Sequence, residues 1–288
     1  MTIRPRRSVL YMPGANERAL EKARGIPADS LILDLEDSVA PDAKPEARER
    51  VAAAVRSGAY GGRELVIRIN GLDTPWGVDD LKAAAAAAPH AVLVPKVARP
   101  GDIVNAARIY AAMGGPEATR MWAMMETPMA IFNVREIASV HQVARLSCFV
   151  LGTNDLLKES RAAATGGRFA IIPWISMAVL AARAYGLDVI DGVYNDFRDE
   201  PGFRAECEQG RTLGMDGKTL IHPGQVAVCN ELFSPTPEEV RWSREIIAAF
   251  ALPEHAAKGV ITVEGRMVER LHLAMAQRVA AIAEAIAP

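Results

Sequence analysis

Cysteine is scarce in this chain: Cys148, Cys207 and Cys229 are the only three in 288 residues. They have neither metal-ligand spacing nor an even count for a disulfide set, which excludes a thiol framework. That pattern is expected of a soluble, cytoplasmic protein with reduced thiols. No apolar run approaches the roughly 20 residues that span a bilayer. The opening MTIRPRRSVLYMPG lacks the apolar region and cleavage site of a signal peptide. An excess of one charge is missing too. A formal net charge of −2 offers no basic field for nucleic acid or an anionic membrane. No G-x-G-x-x-G follows the first β-rich run, where PGANER stands instead. Ser8, Ser38 and Ser176 have no nucleophile motif around them. The remainder is ordinary globular composition, 50% hydrophobic and 24% charged, long enough for two domains or one α/β barrel.

What is present is a repeat of β-rich runs, each followed by a helix-like spacer. Strands are expected at 8–14, 30–37, 64–70, 91–97, 120–126, 146–152, 187–193 and 218–223. Their apolar cores are nearly continuous, as in parallel strands covered on both faces. The spacers NERALEKARG, KPEARERVAAAVRSG and WGVDDLKAAAAAAPH carry helical periodicity, and the alanine run 83–88 belongs to a helix packed on the barrel. Eight βα units predict an α/β fold, a (β/α)8 TIM barrel, over an open doubly wound sheet. The barrel is expected over 1–235. Residues 236–288 then form a C-terminal helical arm: a helix capped by Ser234 or Thr236, a short hairpin and a closing amphipathic helix. Such an arm packs on a neighbouring subunit or on its own barrel.

The stretch SLILDLEDSVAPDAKPEAR puts Asp34, Glu36 and Asp37 at the end of a buried-looking strand. Barrel enzymes place their chemistry at that end. The same ends deliver Arg68 and Asn70, Lys96, Glu126 and, just past the sixth strand, Asp155; His222-Pro223 ends the eighth. One charged strand tip is ordinarily a solvated rim residue, but five consecutive strands doing so describe a site. Glu126 and Asp155 offer carboxylate oxygens to a hard divalent ion such as magnesium. No His or Cys among these tips suits zinc. Arg68 offers a planar fork for a substrate carboxylate. Asp34 is expected behind the ligands, facing the interior. Met121, Trp122, Met124 and Met125 are assigned to barrel packing. Thr165-Gly166-Gly167 is expected to be a mobile loop over the site.

The segments RSVLYMPGANERALEKA, LILDLEDSVAPDAKPEAR, VIRING, VPKV, METP, GTNDL, DGKTLIHPGQ and EGRMVERLH resemble the citrate lyase β-subunit-like CoA-ester lyases of the HpcH/HpaI aldolase superfamily. The resemblance runs in order from Arg7 to about His272. It implies a magnesium-dependent lyase that cleaves or forms a β-hydroxyacyl-CoA, such as malyl-CoA, citramalyl-CoA or citryl-CoA. The products would be a 2-oxo acid and acetyl-CoA or propionyl-CoA. It further implies metal ligation by Glu126 and Asp155, substrate binding by Arg68 and Glu126, and acidic groups Glu36 and Asp37 beside a hydrated metal. Arg7, Lys22 and His222 are the candidates for contacts with coenzyme A. Glu269 is the candidate acid–base residue from a neighbouring arm, in a homo-oligomer of three or six chains. Asn154 stands where many relatives carry an acid beside the ligand aspartate, which leaves the exact substrate open. The alternatives are a malyl-CoA thioesterase on the same scaffold, a citrate lyase β subunit acting on an acyl-carrier-protein thioester, a CoA-independent 2-oxo-acid aldolase, and a non-catalytic binding barrel. The aldolase branch uses a histidine base, and none of His90, His141, His255 or His272 falls at a strand tip.

Overall fold

Eight short runs rich in Val, Ile and Leu form parallel strands: β1 (Ser8–Pro13), β2 (Ser30–Asp34), β3 (Glu64–Arg68), β4 (Ala91–Val94), β5 (Arg120–Met125), β6 (Leu146–Leu151), β7 (Asp188–Asp191) and β8 (Gly217–Leu220). In this computed structural model, which describes residues 3–163 and 167–287, they pair in sequence order and β8 closes back onto β1. The fold is a (β/α)8 TIM barrel. Thr165 and Gly166 of the expected mobile loop lie outside the described residues.

The barrel interior is filled by alternate residues of the strands: Val9, Ile32, Val66, Leu93, Trp122, Cys148, Val150 and Ile190 among them. The intervening residues face the helices. Lys44–Arg56 buries Ala47, Val51 and Ala52, and Gly77–Ala87 buries Leu81, Ala84 and Ala85. The alanines are small enough for close helix approach and favour the helix intrinsically. Arg6 seals the N-terminal end of the barrel. Its guanidinium donates to Glu64 through Nε and Nη2 at 2.7 Å each, pairs with Asp188, and lies 5.0 Å from the Trp122 ring.

Every strand stops one to three residues before its expected end. β2 shows why: the Asp34 carboxylate accepts from the backbone N–H of Glu36 at 2.9 Å and of Ser38 at 3.1 Å, which turns the chain out of the ladder.

The barrel unit spans Arg6–Asn230, so it ends before the expected 235, and residues 231–287 belong to a second unit with residues 3–5. In that unit Thr236 caps the helix Pro237–Ala251, with Glu239 completing a capping box. The hairpin β9 (Val260–Val263) and β10 (Arg266–Glu269) turns through Glu264 and Gly265, both at positive φ, and leads into the helix Arg270–Ala285. Ile246, Phe250, Ile261, Val263, Val268 and Ala276 form its core. Among the described residues, no helix is long and apolar enough to cross a membrane.

Candidate active site

Strand alternation decides which side chains meet. The inward series runs Val9–Tyr11, Ile32–Asp34, Val66–Arg68, Trp122–Met124 and Cys148–Val150. Glu126 and Gly152 follow directly after β5 and β6. A cavity of about 380 Å³ opens there, at the C-terminal mouth of the barrel. One wall is charged, with Asp34, Asp37, Arg68, Glu126 and Asp155; the other is apolar, with Tyr11, Pro13, Met124, Leu151, Val193 and Ile221.

Arg68 organises the charged wall. It is the direct cross-strand partner of Asp34 and donates to both its oxygens, Nε at 2.6 Å and Nη2 at 2.8 Å. Its Nη1 lies 3.2 Å from Asp37 Oδ2 and 2.8 Å from Glu36 Oε2, the latter off the hydrogen-bonding direction. The guanidinium also stacks 5.0 Å from the Tyr11 ring. The fork assigned to a substrate carboxylate is therefore taken by Asp34, and its remaining edge faces Asp37 and Glu36. Burial alone would raise the Asp34 carboxyl, but Arg68 and the two backbone N–H donors outweigh it and hold it low.

Glu36 has the opposite balance. Burial pushes its carboxyl up to about 8, aided by Glu126 and Asp37 and only partly offset by Arg68. A raised folded-state value means that the folded chain holds a proton the unfolded chain has released. Stability from this group is thus full below the ordinary value of 4.5 and lost as pH passes about 8. With a chelator present, Glu36→Gln is expected to flatten that decline and to gain about 1–3 kcal/mol near pH 9. Parallel wild-type and variant melting curves between pH 5 and about pH 9 would contradict this assignment.

Glu126 and Asp155 are brought together as expected, and Lys96 joins them. Glu126 is fully buried, and burial raises its carboxyl despite Lys96. Its Oε1 accepts from the backbone N–H of Lys96 at 2.7 Å, while its buried Oε2 has no hydrogen-bond partner. The Lys96 ammonium lies 3.0 Å from Asp155 Oδ2 and 3.6 Å from Glu126 Oε1. Among the described residues no three His, Cys, Asp or Glu side chains converge as a metal cluster. The pair with its orphaned oxygen fits a hard ion that needs one or two carboxylates and takes its other ligands from water and substrate.

Gly152 makes room for that pair. A Cβ there would stand 2.3 Å from Glu126 Cβ and 2.7 Å from Glu126 Oε2. Gly152→Ala is expected to displace Glu126 and to lower divalent-ion affinity about 10-fold or more, with a stability loss of about 1–3 kcal/mol. Unchanged affinity by calorimetry would remove Glu126 from the ion site.

Other expectations need correction. Asn70 does not line the cavity. β3 ends at Arg68, so alternation no longer governs Asn70, which donates to Leu35 O and Asp80 Oδ2 and accepts from Lys44 Nζ at 2.7 Å. Lys44 also donates to the carbonyls of Leu35 and Glu36, fixing the β2 tip from behind. Arg7 precedes β1 and lies at the opposite end of the barrel from the cavity, paired through Nε and Nη2 with Asp29 at 2.8 and 2.7 Å. That end is remote from the chemistry, so Arg7 is withdrawn as a coenzyme A contact. Lys22 is exposed on the helix Glu17–Ala23. His222 caps the turn at Pro223 and stacks on Phe197 with centroids 4.6 Å apart, outside the cavity lining. Glu269, in the second unit, stands at the N-cap of Arg270–Ala285, where its backbone N–H donates to His272 Nδ1. Tyr11, Lys44 and Gly152 had no signal as site builders, because each acts through a non-local neighbour.

The family described as HpcH/HpaI aldolase/citrate lyase matches residues 7–223, the whole barrel up to the turn after β8. The chain belongs to that family. It is an enzyme by that membership and by its relatives. One relative, the (3S)-malyl-CoA thioesterase of Cereibacter sphaeroides strain KD131, is 48% identical over 98% of this chain and 96% of its own. Citrate lyase subunit beta of Escherichia coli K12 is 35% identical over 92% of this chain and 89% of its own. The structure of CitE from Mycobacterium tuberculosis, in complex with magnesium, acetoacetate and coenzyme A, superposes with a TM-score of 0.76 at 26% identity, covering 97% and 98% of the two chains. Within this HpcH/HpaI barrel, Asn154 pairs with Asn195 from the loop after β7. The two amides donate to each other at 3.2 and 2.9 Å, so the position beside Asp155 carries a neutral clasp.

Proposed function

We propose that the cavity hydrolyses the thioester of a malyl-CoA-type β-hydroxy acid, releasing the free acid and coenzyme A. The full-length 48% identity to a malyl-CoA thioesterase carries this choice over carbon–carbon cleavage, the activity expected first from sequence. The cavity agrees in scale: about 380 Å³ accepts a four-carbon acyl group and leaves the nucleotide outside the mouth. Magnesium, which the CitE complex contains, would be held by Glu126 and Asp155 and would supply positive charge for polarising the acyl and hydroxyl oxygens.

This chain's own groups then have separate tasks. Arg68 holds Asp34 in place and, through the Nη1 it shares with Asp37, meets the anionic end of the substrate. Asp37, 63% exposed, borders water at the mouth. Glu36 lies behind the mouth against Arg68, its carboxyl raised chiefly by burial. The apolar wall of Tyr11, Met124 and Leu151 takes the carbon skeleton and excludes bulk water from that side. Lys22 and His222 remain the proposed outer contacts for coenzyme A. Glu269 remains the proposed acid–base residue, delivered in a trimer or hexamer that native mass spectrometry would count.

Carbon–carbon cleavage to a 2-oxo acid and acetyl-CoA is the second reading, favoured by the identity to citrate lyase subunit beta. Mass spectrometry of malyl-CoA incubated with the protein and magnesium, with an EDTA control, separates them. Metal-dependent malate and free coenzyme A support hydrolysis. Glyoxylate and acetyl-CoA support cleavage, and no metal-dependent turnover rejects both.

A further inference from the structure

Lys96 carries more than the charge of a strand tip. Its φ of 52° is in the left-handed region, which a non-glycine residue adopts at a cost. That backbone aims two groups of one residue at the same carboxylates: the N–H at Glu126 Oε1, 2.7 Å away, and the ammonium at Asp155 Oδ2 and Glu126 Oε1, 3.0 and 3.6 Å away. An ammonium bridging both carboxylates and a divalent ion bound to both cannot keep that arrangement together, because like charges a few ångströms apart repel. The side chain also has somewhere to go. Its exposure is 38%, and it borders a second cavity of about 830 Å³, lined by Asp73 and by the paired Arg99 and Asp102.

We infer that Lys96 is an exchangeable counter-ion: its ammonium holds the Glu126–Asp155 pair and is displaced toward the Asp73 groove when a divalent ion binds, while its backbone N–H keeps Glu126 oriented. This rests on the metal assignment above. Lys96 is then a positioning residue that sets metal affinity by competition, and removing its charge tightens binding.

The test is Mn2+ binding to the full chain, followed by the electron paramagnetic resonance signal of free Mn2+, for wild type, Lys96→Met and Lys96→Gln. Both variants retain the backbone N–H, and the glutamine keeps a polar side chain should the methionine fail to fold. Binding tightened about 10-fold or more in a folded variant is expected, with a larger metal-induced rise in melting temperature than wild type. Wild type that binds Mn2+ while both variants bind equally or more weakly overturns the counter-ion role and leaves the metal site standing. Wild type that binds no Mn2+ overturns the metal site itself and the inference with it.

Discussion

Glu126→Gln is expected to lower turnover by about 10³-fold or more and divalent-ion affinity by about 10²-fold, while raising the melting temperature measured in chelator. The opposite signs have one cause. Glu126 is fully buried, its Oε2 has no partner, and burial has already pushed its carboxyl up. Burial disfavours the charged form of this carboxyl in the folded chain, and a neutral amide of the same size removes that penalty. The amide oxygen would take the Lys96 N–H that Oε1 accepts now. That leaves an –NH2 where Oε2 points, a donor facing the place that requires an acceptor for a cation. Differential scanning calorimetry in EDTA, with titration calorimetry of Mg2+, checks both signs. A variant that lost activity together with stability would indicate a packing role instead.

Arg68→Lys is the second large effect: a loss of about 3–5 kcal/mol of stability and of about 10²-fold or more in turnover. Lysine keeps the charge but loses the fork. Asp34 would lose one of two donated bonds, at 2.6 and 2.8 Å, and Glu36 and Asp37 would share whatever a single ammonium reached. A buried carboxylate left short of a partner is the costly outcome, and the lysine also forfeits the stack on Tyr11. At 2–4 °C per kcal/mol, the melting temperature should fall by roughly 10 °C. A lysine variant with wild-type melting behaviour would mean that Asp34 is held by its Glu36 and Ser38 backbone donors alone.

Legibility in the sequence followed the range of the forces involved. All eight strands were readable because apolar runs and the helical spacers between them are local. So was the placing of Asp34, Arg68, Glu126 and Asp155 at one end, since barrel topology aligns every strand. Strand ends were read too long where a side chain captured its own backbone, as Asp34 does. Asn70 shared the parity of Arg68 but not its strand, so parity misplaced it. Arg7 shared a motif with the first loop but preceded β1, and chain direction sends it to the far end.

From sequence alone, this chain was determined to be a parallel eight-stranded barrel of the HpcH/HpaI kind with an acidic mouth. Near-continuous apolar runs and the βα repeat leave few other ways to bury these residues. The tertiary structure alone decided which partner each charge takes: Asp34 occupying the Arg68 fork, Lys96 spanning Glu126 and Asp155, Gly152 leaving space for Glu126, and Lys44 bracing the β2 tip. The Asp34–Arg68 and Lys96–Glu126–Asp155 pairings depend on distances of about 3 Å between residues 30 or more positions apart, set by closure of the barrel and not by any local preference.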